Sequence, residues 1–214
     1  MAVLENKLGK TDEWLLSREE ERLSKIRALE LFDRGLIDRF EVGTFKGLSD
    51  IHAYLFSDIY DFAGKIRSVD MAKGHFRFAS YLYLDAALKR IEKMPQKTFD
   101  DIIDKYVEMN VVHPFREGNG RGMRLWLDAI LKKELRKVIN WAQVDREDYL
   151  LAMERSPVRS TEIKTLLHAA LTDRINDRVL FMKGVDASYH YEGYQSYLMT
   201  DLDKRSIEDD GMER

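Results

Sequence analysis

The chain has 214 residues, 44% of them hydrophobic and 34% charged, a balance that fits a folded domain and excludes a disordered chain. A formal net charge of −3 offers nucleic acid no electrostatic footing, and with no cysteine there is neither a disulfide nor a thiolate metal site. Met1–Lys10 has no basic-then-apolar leader pattern and no apolar run reaches membrane-spanning length, so the expectation is a cytoplasmic protein that binds neither membrane nor nucleic acid directly.

Only three prolines and few turn clusters predict a mainly helical fold. Ser17 with Glu20 reads as a capping box for a helix carrying Leu23, Ile26, Leu29 and Leu31 and ending at Gly35. Leu48, Ile51, His52 and Leu55 mark a second helix over Thr44–Phe56. His52 lies on its apolar stripe and reads as a satisfied core histidine. Lys73 to Ala79 alternates polar and aromatic residues, the best strand candidate in the chain. It either covers the core as a short hairpin or offers an edge to an extended partner segment. Leu84, Leu88 and Ile91 give a stripe to a helix over residues 81–93, closed by Pro95. Thr98, with Asp101 three residues on, caps a helix over Phe99–Val112 that Pro114 stops. A largely apolar helix starts near Gly120, with Met123, Trp126, Leu127, Ile130 and Leu131 on one face. Asp145 is expected to cap a helix through Met153, and Ser160 another over Thr161–Leu171. Ser188 and Glu192 share one face of an aromatic helix near the end, and from Asp201 the tail is polar, acidic and expected to be disordered.

The bend from His113 to Arg124 concentrates chemistry. Glycines at 118, 120 and 122 let the backbone approach a ligand, and successive N–H groups feeding a helix N-terminus form an anion site. Arg121 and Arg124 suit phosphate oxygens. Glu117 is a carboxylate of the kind that holds Mg²⁺ together with substrate phosphates. His113 titrates near neutral pH when unperturbed. Singly, each part is ordinary: a glycine-rich turn is usually only a turn, and two arginines are usually a solvated face. Their co-occurrence points to a nucleotide-phosphate site with proton-transfer capacity. Other phosphate motifs fit badly. Gly64-Lys65 is followed by Ile66 where a P-loop needs Ser or Thr, and Met123 replaces the last small residue of a dinucleotide fingerprint. Pro114 separates His113 from Glu117, and no third zinc ligand follows.

His113-x-Phe115-x-Glu117-Gly118-Asn119-Gly120-Arg121-x-x-Arg124 resembles the full signature of Fic-domain proteins, and the resemblance spans roughly residues 30–200. It implies an all-α Fic-type helical domain with a short β-hairpin flap. The division expected is an N-terminal helical extension over 1–30, a core over 31–182, an inhibitory helix over 183–200 and a tail over 201–214. Tyr60 to Arg67 resembles the segment leading into the flap. Gly74, His75, Phe76, Arg77 and Phe78 would dock a target protein, and Lys73 and Asn110 would touch the nucleotide.

The activity the resemblance implies is protein adenylylation, moving AMP from ATP to a target hydroxyl. The amides of Gly118, Asn119 and Gly120 with Arg121 and Arg124 would hold the phosphates. Glu117 would hold Mg²⁺, with Mn²⁺ or Ca²⁺ as alternatives, and His113 would be the base. Ser188-x-x-x-Glu192-Gly193 resembles the family's C-terminal inhibitory motif, whose glutamate pairs with the second arginine, here Arg124. Tyr189 and Tyr194 are candidates for self-modification, and a homo-oligomer is open. Three other readings remain: removal of AMP with Glu192 positioning a water, a kinase-type transfer as in Doc-like relatives, which depart at the Gly120-Arg121 position that this chain keeps, and a catalytically silent nucleotide sensor.

Overall fold

Eight α-helices and two small antiparallel strand pairs form among the residues that the computed structural model describes, 3–74 and 76–203. At the centre is α5 (Asn119–Leu135), as its apolar faces predict: Met123, Trp126, Leu127, Ile130 and Leu131 are all buried. It packs on α4 (Phe99–Val112) and α2 (Phe45–Phe56), and α1 (Glu13–Asp33) and α8 (Arg178–Tyr191) cover a further side. The Trp126 indole N–H donates to the Thr44 carbonyl at 3.0 Å, fixing α5 against the start of α2.

The predicted cap of α4 forms, and α2 is capped by Thr44, the residue expected to begin that helix. Thr44 accepts from the Gly47 N–H, and Thr98 and Asp101 exchange both bonds of a capping box. Elsewhere the boundaries move. Asp12, not Ser17, caps α1, because Asp12 has extended backbone and accepts from the Leu15 N–H. The helix therefore starts one turn earlier, and Glu20 becomes a buried interior residue rather than a cap partner. Residues 81–93 divide into a 3-10 turn at Tyr81–Tyr83 and α3 (Leu84–Glu92). α6 runs Arg146–Arg155, slightly past Met153, with Asp145 as its cap. α7 (Thr161–Ala169) stops short of Leu171, and Ser160 makes no side-chain cap bond.

Two strand pairs flank the helices. In the flap, β1 (Ala72–Lys73) pairs with β2 (Phe76–Arg77), Lys73 opposite Phe76. The second pair is absent from the sequence reading: β3 (Val138–Ile139) joins β4 (Leu171–Thr172), which takes the end expected for α7. Asp128 on α5 anchors it, accepting from the Ile139 N–H at 2.9 Å and the Trp141 indole at 2.8 Å.

α1 is not set apart from the rest, since Ala28, Leu29 and Leu31 join the same hydrophobic cluster as Leu127 and Val185. Residues 199–203 form a last helical turn with Leu202 buried, so the tail assigned from Asp201 lies, beyond 203, outside the described residues, as does His75. No helix is long and apolar enough to cross a membrane among the described residues. The α4 cap is a surface device that touches no site residue. Thr98→Ala should therefore lower unfolding free energy by about 1 kcal/mol, read as a lower denaturant midpoint at unchanged slope.

Candidate active site

α4 ends where Pro114 denies its predecessor the helical region. His113 takes a left-handed conformation, φ 49°, uncommon for a residue with a side chain. Arg67, 5% exposed, holds the bend there. Its Nε donates to the His113 carbonyl at 2.7 Å and its Nη2 to Val112 O at 3.1 Å. Further bonds reach the carbonyls of Val69 and Ala79, and the Arg67 backbone N–H donates to Pro114 O at 2.8 Å. One guanidinium thus serves the orphan carbonyls of α4, the bend, and the chain on either side of the flap. Sequence reasoning assigned Arg67 no role. The only signal was its position in a short turn-rich stretch with no apolar period.

The rest of the bend is braced from inside. The Asn119 amide accepts from the Phe115 N–H at 2.8 Å and donates to its carbonyl at 2.7 Å. Its side chain is therefore committed to the loop, leaving the backbone to face a ligand. Phe115 is fully buried, with the His52 ring stacked on it at 3.8 Å. The Gly64 N–H donates to His52 Nδ1 at 2.9 Å, so Nε2 carries the proton and donates to Glu117 O at 2.7 Å. His52 is the satisfied core histidine expected, and it also positions the loop. At Gly118, φ 74°, a Cβ would meet the Phe56 ring at 2.5 Å, so only glycine fits.

This bend floors a cavity of about 690 Å³, a volume suited to a small-molecule ligand. The flap residues Lys73, Gly74, Phe76 and Phe78 wall one side, Tyr149, Leu150, Met153 and Glu154 of α6 another, and Asn110, His113 and Tyr194 also line it. Arg77, in the flap, is exposed. Phe78 stacks on the His113 imidazole at 3.7 Å. Burial pushes the His113 pKa down to about 3, against the pull of the nearby Glu192 carboxylate. The ring is neutral, the form that accepts a proton.

Glu192 reaches into the anion nest. Its Oε1 lies over Gly120, where an added Cβ would come within 2.2 Å of it, and accepts from Arg124 Nη2 at 3.0 Å. Its Oε2 pairs with Lys73 of the flap at 3.2 Å. Arg124 is 2% exposed and also donates to Ser188 Oγ at 2.6 Å and Ser188 O at 2.8 Å. Burial disfavours the charged Glu192, but Arg124 and then Lys73 outweigh it and hold its pKa at about 2. Gly193 follows with φ 93° as the helix ends.

Arg121 is placed differently from Arg124. It is 1% exposed, held between Glu117 Oε1 at 3.0 Å and Glu20 of α1, under the rings of Phe56, Tyr189 and Tyr194. Glu20 was missed as a site residue because its sequence context reads as a helix cap. Tyr189 is buried between α8 and α1, with Lys25 over its ring, and is not among the cavity-lining residues as Tyr194 is.

Glu117 suits a cation held jointly with a ligand. Its bonds to the Gly118 N–H (2.8 Å) and Arg121 both fall on Oε1, while the side chain is 40% exposed at the cavity. No cluster of three or more His, Asp or Glu side chains that could hold a metal ion exists among the described residues.

A helical domain built round such a bend, with a hairpin beside it, is the architecture of the Fic fold. Residues 44–131 match the Fic/DOC family. The protein adenylyltransferase VbhT of Bartonella schoenbuchensis is 29% identical over 92% of this chain and 45% of its own length. A probable protein adenylyltransferase Fic of Salmonella typhimurium is 32% identical over 39% of this chain and 47% of its own. The chain thus spans about half the length of these curated relatives. The BepC protein of Bartonella tribocorum, solved with AMPPNP bound, shares the fold with a TM-score of 0.67 at 19% identity, covering 79% of this chain and 92% of that one.

Burial pushes both His113 in the bend and His52 beneath it down to about 3 in the fold from 6.5, so the unfolded chain binds more protons in between. The stability they contribute is complete above pH 6.5 and lost as pH falls from 6.5 towards 3. In NMR, the ring protons assigned to His52 and His113 should stay flat from pH 8 to pH 5. A mid-range titration of His113 would show that its ring is not held neutral.

Proposed function

We propose that the chain is a protein adenylyltransferase that moves AMP from ATP to a hydroxyl side chain of a target protein. The observation that carries this reading is the unbroken loop from His113 to Arg124, folded with a neutral imidazole beside an anion nest. Similarity to the protein adenylyltransferase VbhT and to a probable protein adenylyltransferase Fic supports it.

ATP lies with its phosphates on the Gly118, Asn119 and Gly120 amides. Arg124 faces the outer phosphates once freed, and Arg121 acts from behind the loop. Glu117 would hold Mg²⁺, which would supply positive charge to offset that gathering on the leaving group. The target segment runs along the Gly74–Phe78 edge of the flap. Its hydroxyl oxygen bonds to the α-phosphorus as the bond to pyrophosphate breaks, and the hydroxyl proton passes to the His113 imidazole. Positioning and charge stabilisation dominate such transfers.

In the resting state Glu192 occupies Arg124 and lies over Gly120, so α8 is read as an inhibitory helix whose carboxylate competes with the terminal phosphate. The same placement supports a second reading: a carboxylate beside the nest is positioned to orient a water that removes AMP from modified protein. Soluble target and enzyme would meet in the cytoplasm.

With labelled ATP and a cell lysate, Glu192→Gly should transfer AMP at least tenfold faster than wild type, relieving one charged competitor. An unchanged rate in folded protein would overturn the inhibitory role. Adding His113→Ala to Glu192→Gly should cut transfer by about 10²–10⁴-fold while nucleotide still binds. Transfer at the parent rate would remove His113 from its role as base.

A further inference from the structure

The loop carboxylate Glu117 and the α1 carboxylate Glu20 share a single buried cation. Arg121 contacts Glu117 Oε1 through Nη2 at 3.0 Å and Glu20 Oε1 through Nη1. Neither Nε nor Nη1 makes a hydrogen bond of good geometry, so Glu20 acts on Arg121 chiefly through charge. Glu20 is itself 2% exposed and accepts from Tyr194 Oη at 2.8 Å and from Tyr60 Oη. It therefore has a fixed position, is not screened by water, and stands on a helix outside residues 44–131, the Fic match.

An unshared guanidinium in that place would do two things. It would draw the Glu117 carboxylate more tightly to itself, against any cation in the cavity. It would also project an uncompensated positive charge towards the phosphate nest. At these separations and this burial, the Coulomb interactions are far stronger than in water. We propose that Glu20 is a positioning residue: by neutralising Arg121 from behind, it leaves Glu117 available to a divalent cation and makes nucleotide affinity depend on that cation. The proposal rests on the nucleotide reading above. It concerns how metal and nucleotide are coupled, a quantity that packing alone does not set.

The test measures ATP affinity by calorimetry in EDTA and in saturating Mg²⁺, in the Glu192→Gly background so that the nest is open. Glu20→Gln keeps the volume and removes the charge; its amide oxygen accepts from one tyrosine hydroxyl and its NH2 donates to the other, whose proton turns away. The expected result is tighter binding in EDTA and a drop of about tenfold in the ratio of the two dissociation constants, within the usual range of a coupling between sites. Tyr60→Phe, at a ring outside the cavity lining, removes one hydrogen bond to Glu20 and keeps its charge, and should leave the ratio unchanged. Glu20→Asp, with the charge drawn back by one methylene, should fall between, and it carries the test if the glutamine variant does not fold. An unchanged ratio, or equal weakening under both conditions, would overturn the proposal and leave nucleotide binding intact. Failure of the parent Glu192→Gly protein to bind ATP in either condition would overturn the nucleotide reading, and this inference with it.

Discussion

Two guanidinium groups at the start of α5 are almost wholly withdrawn from water, and what surrounds them follows from that. A buried charge is tolerated only when paired and hydrogen-bonded, and removing one partner of such a pair typically costs about 3–5 kcal/mol. Arg124 draws Ser188 and Glu192 from α8 and the Tyr149 ring from α6. Arg121 draws Glu20 from α1 and three aromatic rings. Helices far apart in sequence are thereby gathered on one turn of backbone, the turn whose amides face the cavity.

The carbonyl side of the same bend needs the opposite service. α4 ends on a left-handed histidine, and its last carbonyls would be orphaned without Arg67. His52 supplies the matching support beneath Glu117, from a ring that burial keeps uncharged. The bend is therefore held by one permanent cation outside and one neutral imidazole inside. Neither changes state near neutral pH, which keeps the loop geometry constant.

Much of this was legible in the sequence where short-range rules apply. The Thr98 capping box, the Pro114 stop and the apolar faces of α5 depend on residues within a turn or two of one another. The loop signature and the Ser188–Glu192 spacing were legible for the same reason, and the pairing of Glu192 with Arg124 followed from resemblance. What was not legible is long-range. Arg67 and Glu20 act on atoms 46 and 101 residues away, and nothing in their neighbours distinguishes them from solvated charges. The β3–β4 pair is two residues wide, too short for any alternation to show. α1 was misplaced because a plausible box at Ser17 competed with a true cap at Asp12, and only packing decides between them.

The carboxylate of Glu192 resting on the first turn of α5 gives the resting protein an anion of its own at the dipole's positive end. Any ligand that reaches this spot performs a substitution, one negative group for another.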